Sequence, residues 1–460
     1  MTNSVYSSIA PAFQSGAASF QDPPWSEIGQ GDLDSWFEVS DLAVTSIGMA
    51  GLMLADLVDQ ETIERPSITI DRRLASFWFG MTLKPIGWQM PSVWDPIAGD
   101  YRSKDGWIRL HTNAPAHRKA ALSVLGGPSD REEVARCVEG WEADTLETAI
   151  VEAGGCAAKM RSLSDWNAHA QGRAVARDPL VIWKEHGAQD GPRMAIDPDR
   201  PLTGFKVLDL TRVLAGPVAG RFLAAYGAEV LRIDPPSWEE PGVVPEVTLG
   251  KRCAGLDLKD PEDRQRFEDL LRDADVLLHG YRPDALINLG YDADTLRILN
   301  PRLIDVCLNA YGWSDPWSGR RGFDSLVQMS SGIADYGMRQ SGADSPVPLP
   351  VQALDHATGY LLAASVLQAL SRRQETGSIL SAKLSLARVA HCLAATRRQS
   401  KAEGLTAEAD DDLGAEIEKT VWGDARRTRF PLQIGTIDAR WPYPAGPLRS
   451  SSAQWSSDGL

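Results

Sequence analysis

An aspartate at the head of a long apolar helix is the residue whose setting most suggests chemistry. Asp355 opens DHATGYLLAASVLQALSRRQET after the extended stretch PVPLPVQAL. The position reads as a helix N-cap, where the macrodipole and free backbone amides keep a carboxylate ionised and can steady a developing oxyanion. An ionised carboxylate in an enclosed site can attack an acyl carbon and form an anhydride. The competing reading is a capping residue with no further role. His356 follows directly, but its side chain projects in a different direction, so it is not assigned as a base.

A second constellation is the turn TRVLAGPVAG, with Gly216 and Gly220 separated by three residues. A dinucleotide fingerprint needs G-x-G-x-x-G, so this is not one, and Asp234 is not read as a ribose-binding acid. Small residues such as Ala215 and Gly216 still let a ligand approach the N-terminal amides of a helix, although tight helix-sheet packing explains them equally well. Five basic residues, Arg212, Arg232, Lys251, Arg252 and Arg282, fall at expected C-terminal strand edges or in the loops beyond. In an open α/β sheet those edges converge on the ligand crevice, so together they could hold a phosphorylated cofactor. Solvated surface charge is the default for any one of them.

The elements that must position these residues alternate. FKVLDL, AEVLRID, RCAGLDL, DVLLHGY and LIDVCLNAYG are short apolar runs separated by helical patterns. DPEDRQRFEDLLRDA offers Asp260 as N-cap and Pro261 at the first helical position. Alternation of this kind predicts an α/β fold, a Rossmann-like doubly wound parallel sheet, accompanied by a smaller α+β domain. That smaller unit is expected where GDYRSKDGWIRLH reads as a hairpin, followed by helices around HRKAALSVLG, DREEVARCVEG and TLETAIVEAGG. The expected organisation is an irregular N-terminal arm (1–40), a hinge helix and connector (41–98), the small domain with a return segment (99–195), the Rossmann-like domain (201–395) and a C-terminal linker and tail (396–460).

An internal repeat links two of these parts. Asp41 begins DLAVTSIGMAGLMLADLVDQET much as Asp355 begins its own helix, and both end in Gln-Glu-Thr with one residue of slippage. A duplicated hinge element is the preferred reading over chance similarity.

Composition excludes several classes. At 460 residues, 43% hydrophobic and 24% charged, the chain can bury a full core. A formal net charge of -15 argues against a general nucleic-acid binder, which needs a basic surface for counterion release. Five scattered cysteines without a CxxC pair indicate neither a disulfide framework nor a metal site. No Lys or Arg precedes Arg65, so no basic leader region is read, and the interrupted apolar run from Leu42 to Leu57 reads as a buried helix instead of a membrane span. A cytoplasmic setting is expected.

From Pro201 to Leu393 the chain resembles the class III CoA-transferases. The segments PLTGFKVLDLTRVLAGPVAGRFLAAYGAEVLRIDPP, GKRCAGLDLKDPEDR, ADVLLHGYRPDALINLGYD, NPRLIDVCLNAYG and GFDSLVQMSSG carry the likeness, in order. The resemblance implies that Asp355 is the nucleophile. It further implies that Arg212, Val213, Leu214 and Ala215 line the coenzyme A site, with Arg232 and Lys251 near the nucleotide end and Tyr281 and Arg282 near the pantetheine or phosphates. Acyl-CoA and a carboxylic acid are the implied substrates, with no metal, no nucleic acid, no membrane and a homodimer as the implied assembly. The family usually has an arginine where Asn288 stands. Related racemases carry a histidine after the glycine of a GxD segment, where this chain has Phe323 between Gly322 and Asp324; transfer is therefore preferred over racemisation. A silent CoA-binding protein, or an acyl-CoA isomerase, lyase or racemase on the same scaffold, is the alternative. In the family the small domain follows the aspartate helix, whereas here its likeness precedes the Rossmann-like part. The order reads as permuted, with Asp41 as a cap or vestigial site.

Overall fold

The structure, a computed structural model, describes residues 4–13, 22–61, 64–402 and 404–456. At its centre lies a seven-stranded sheet. In spatial order its strands are Arg252–Gly255, Glu229–Asp234, Lys206–Leu210, Val276–His279, Ile304–Asn309, Ser378–Ser385 and Ile182–Ala188. The first six pair in parallel, and the last runs antiparallel to Ser378–Ser385. The five apolar runs of the sequence supply five parallel strands. The sixth follows the Asp355 helix, and the antiparallel strand comes from the return segment, outside the 201–395 unit.

Side chains alternate across this sheet, as the period of two demands. Val207, Val276, Leu278, Ile304 and Val306 face the larger core, which holds both hinge helices. Leu208, Leu210, Leu231, Ile233 and Leu277 face the other side and meet Phe267, Leu270 and Leu271 of the helix Pro261–Asp273. That helix starts as its sequence dictates: the Asp260 carboxylate accepts from the amides of Glu262 and Asp263, and Pro261 fills the first turn. With both faces covered, the strands read as apolar runs.

The two hinge helices are Val39–Asp59 and Ala353–Thr376, and they pack on each other. Their starts match. Glu38 and Gln352 are the caps, at φ -73°, ψ 58° and φ -77°, ψ 63°, and in each case the first helical amide, of Val39 or Ala353, donates to the carbonyl two residues back at 2.8 Å. Asp41 and Asp355 are therefore third residues of their helices, not caps. At the other end Gln60 Nε2 donates to Ser371 Oγ and to Glu375 Oε1 (3.0 Å), so the two Gln-Glu-Thr ends meet, except that Thr62 lies outside the described residues. Val39–Asp59 is long and apolar enough to cross a membrane, yet it is almost wholly buried in the core, which accounts for its composition.

The small region contains the expected hairpin, Gly99–Arg102 with Trp107–Leu110, extended by Ala157–Lys159. Helices Pro115–Val124, Arg131–Glu139 and Ala143–Glu152 close its own core around Ile108, Leu110, Val134, Leu146 and Ile150. A separate apolar contact joins it to the rest. Cys156 and Ala158 pack on Leu326 and Met329 of the helix Asp324–Ser330. That contact sets the small region over the C-terminal ends of the parallel strands.

Two further segments matter for the sheet and its surroundings. Gly423–Arg427 pairs with both Glu418–Thr420 and Leu83–Pro85, and there Glu246, fully buried, joins Arg221 and Arg427 and accepts from Thr82 and Leu83. These cations and hydrogen bonds hold the Glu246 carboxyl down at about 2 against the opposing cost of its burial. Ser451 donates its amide to Cys253 O at 2.7 Å, laying the end of the chain along the strand Arg252–Gly255.

Candidate active site

The turn after Lys206–Leu210 is fixed from both sides. Asp209 Oδ1 accepts from the Thr211 amide at 2.9 Å, and Glu240 Oε2 accepts from the Val213 amide at 2.8 Å. Val213 sits at φ +65°, a left-handed conformation unusual for a β-branched residue and costly unless its surroundings impose it. Glu240 is well placed to impose it, because it also binds Arg232 Nη2 at 2.6 Å and Trp238 Nε1 at 2.8 Å. Beyond the turn, the helix Ala215–Ala225 begins; its first amides have no acceptor within the helix.

The Asp355 helix comes close to this turn because of Gly359. A Cβ there would fall 2.4 Å from Ala215 O, so only glycine allows the approach. The two helices and the ends of the strands enclose a cavity of about 410 Å³. Asp355, Arg212, Val213, Leu214, Ala215, Tyr281 and Arg282 all line it. Seven residues chosen from sequence thus converge on one space.

Arg212 lies against two rings. Its guanidinium lies 4.7 Å from the Trp238 ring centre and 5.0 Å from that of Tyr281, and it donates to Tyr281 Oη at 2.7 Å. Arg282 sits at the cavity mouth, partly exposed, 3.7 Å from Asp284. Asn288 lies on the surface beside Asp284 and does not line the cavity.

Three of the basic residues selected from sequence are elsewhere. Arg232 is the fourth residue of its six-residue strand, not its edge; it is fully buried and paired with Asp234 at 2.8 Å and Glu240 at 2.6 Å. Lys251 is buried on Asp209 (2.8 Å) and on Pro217 O (2.9 Å), filling the space that Gly220 leaves beside it. Arg252 begins its strand, at the end opposite the cavity, and pairs with Glu229 at 3.1 Å. Each neutralises an internal carboxylate, which a chain of net negative charge needs as much as any phosphate does.

The electrostatics at Asp355 correct a second expectation. The amides of Leu354 and Asp355 both donate to Asp324 Oδ2, at 2.8 and 3.0 Å, so Asp324 supplies the capping carboxylate and those amides are engaged. Asp324 is itself gripped by Gln328, whose Oε1 accepts from the Leu349 amide. Burial pushes the Asp324 carboxyl up to about 6 despite these hydrogen bonds. Asp355 is raised well above the ordinary carboxylate range, by burial first and then by the Asp324 charge. An Asp355 held ionised by free helix amides is not what the fold provides; the two carboxyls compete over protons. His356 stacks on Phe79 at 5.4 Å and does not line the cavity; burial lowers its imidazole to about 3.

Several cavity residues were not singled out from sequence as part of this site. His117 arrives from the small region, and burial lowers it to about 4. Arg320 lies 3.9 Å from the Trp317 ring and pairs with Glu147 at 2.9 Å; Arg321 follows it at the rim. The adjacent pair in GRRGFD just before Asp324 was a visible signal. Nothing local in the sequence marks His117 or Trp238.

Residues 202–419 match the family model described as CoA-transferase family III. Among individual proteins, the chain is 30% identical over 314 residues to an acetyl-coenzyme A transferase of Hypoxylon pulicicidum, covering 63% of this chain and 53% of that protein. It is 36% identical over 195 residues to a probable fatty acyl-CoA transferase of Mycobacterium tuberculosis, covering 39% and 49%. A crystal structure of that mycobacterial protein aligns with a TM-score of 0.39 at 35% identity over 43% of this chain and 56% of that one. The chain spans about half the length of the curated relatives it matches.

Proposed function

We propose that the protein moves coenzyme A between carboxylic acids, with Asp355 as nucleophile. The observation that carries this reading is the position of Asp355: a buried carboxylate in the wall of a cavity whose other walls include the 212–215 turn, Tyr281 and the three further arginines Arg282, Arg320 and Arg321, within a segment that matches the CoA-transferase family. No step calls on a metal or redox cofactor.

In the proposed chemistry, ionised Asp355 attacks the thioester carbonyl of the donor. The C–S bond breaks, CoA leaves as thiolate, and a mixed anhydride forms. The thiolate then attacks the aspartyl carbonyl, releasing the donor carboxylate and leaving an aspartyl-CoA thioester. An acceptor carboxylate attacks that carbonyl in turn, and the expelled thiolate takes the acceptor acyl group from the new anhydride, restoring Asp355. Arg282 and Arg321, at the mouth, suit the phosphates. The free first-turn amides of Ala215–Ala225 suit a developing oxyanion. Homodimeric assembly and a cytoplasmic location belong to the same reading, and light scattering and fractionation test them.

Incubation with a panel of acyl-CoAs, followed by hydroxylamine or borohydride trapping and peptide mass spectrometry, tests the mechanism. A trapped modification at Asp355, lost in Asp355→Ala, is the expected result. CoA binding with neither adduct nor exchange would leave a CoA-binding protein without transferase activity.

A further inference from the structure

Beside the cavity at Asp355 lies a second one of about 230 Å³, and Val213, Trp238 and Phe323 are walls common to both. Its far side comes from the connector, through residues 92–95, and from the small region, through His111, Asn113 and Ala114. The two spaces differ in charge. The first is lined by Arg212, Arg282, Arg320 and Arg321, whereas no lysine or arginine lines the second, whose charged residues are Asp95, Glu239 and Glu240.

Four rings shape the second cavity: Trp94, His111, Trp238 and Phe323. His111 stacks on Phe323 at 3.7 Å and meets Trp94 edge-on at 5.8 Å. Burial, reinforced by Arg109 and His117, lowers its imidazole to about 3, so it brings no positive charge at neutral pH. The carboxylates are occupied by the protein itself. Asp95 accepts from Thr112 and the Ile97 amide, Glu240 from Val213, Trp238 and Arg232, and Glu239 pairs with Arg449. A ligand carboxylate entering this space would lose its hydration and find no cation in return. An alkyl or aryl group would meet aromatic faces.

We propose that the second cavity receives the acyl group of the thioester and selects uncharged acyl groups over those ending in a carboxylate. This rests on the CoA-transferase reading above. With the thioester at Asp355 and CoA along Arg212, Tyr281 and Arg282, the acyl chain passes Phe323 into the ring-lined space.

The test uses two unreactive thioethers, S-hexyl-CoA and S-(3-carboxypropyl)-CoA, titrated by calorimetry beside CoA itself. S-hexyl-CoA should bind about tenfold tighter than CoA, and the carboxylated analogue no tighter than CoA. Ala114→Phe, which places a ring inside the second cavity, should lower the S-hexyl-CoA to CoA affinity ratio. Val93→Arg, at a partly exposed wall position, should bring the carboxylated analogue to within about threefold of S-hexyl-CoA. Equal binding of both thioethers, or a preference for the carboxylated one, overturns the proposal while leaving CoA binding intact. Failure of CoA and both analogues to bind removes the reading on which it rests, and the proposal with it.

Discussion

Asp41 and Asp355 hold the same place in two helices that begin alike and pack together, yet their surroundings differ in sign. Asp41 is half-exposed and bonded to Arg72 at 2.6 Å, and the same guanidinium gathers Asp32 and, at 3.1 Å, Glu27. Asp355 is buried, forms no ion pair among the described residues, and faces the Asp324 carboxylate instead. One backbone position thus serves two ends. Where a cation neutralises the aspartate it ties segments together; where burial and a second carboxylate surround it, its carboxyl is pushed well above the ordinary range.

The largest effect expected from breaking this contrast is on chemistry. Asp355→Asn should abolish the trapped adduct and lower CoA exchange by about a thousandfold or more, the scale on which loss of a nucleophile is felt. Asp41→Asn should leave the adduct in place. Next comes stability: Arg72→Ala strips the cation from three carboxylates, and urea denaturation should report a loss of about 2–4 kcal/mol. A smaller change should follow Asp324→Asn, which removes the like charge beside Asp355. Attack requires the ionised form, so adduct formation falls as pH drops through the raised Asp355 value; in the variant that fall should move to lower pH, followed by quenched-flow trapping between pH 4 and 8.

The smallest expected effect is thermodynamic and opposite in sign at the two sites. A carboxyl raised in the folded state binds its proton more tightly there than when unfolded, so stability falls as pH rises above the unfolded value and the penalty is complete above the folded one. At pH 7 Asp355→Asn should therefore raise Tm by about 1–2 °C, while Asp41→Asn lowers it by a similar amount, both read by calorimetry.

Local patterns along the chain disclose the architecture where local physics decides it. Asp260 and Pro261 start a helix because capping depends on neighbours in sequence, and the apolar runs become strands because both faces of the sheet are covered. The site was half legible for the same reason. Arg212 to Leu214, Tyr281 and Arg282 sit on turns that follow strands, and Ala215 and Asp355 at the starts of helices, all placed by the α/β pattern. Arg232, Lys251 and Arg252 went astray because a basic residue looks the same whether it meets a phosphate or a buried aspartate, and Asp209, Asp234 and Glu229 are brought to them only by the fold. His117 was invisible because it arrives from a region more than ninety residues before the turn that lines the same cavity. The shift of Asp355 from cap to third position turns on Asp324, thirty-one residues earlier in the chain.

The segment that matches the family, 202–419, leaves out both strips of chain that flank its sheet. Ile182–Ala188 closes one side against Ser378–Ser385, and the chain near Ser451 lies along Arg252–Gly255 on the other. Trimming the protein to the matched residues would bare a ladder of unpaired amides and carbonyls along Ser378–Ser385 and uncover the Cys253 carbonyl at the other margin, an invitation to edge-to-edge aggregation. A soluble expression fragment of this protein therefore has to begin before residue 182 and end beyond residue 451.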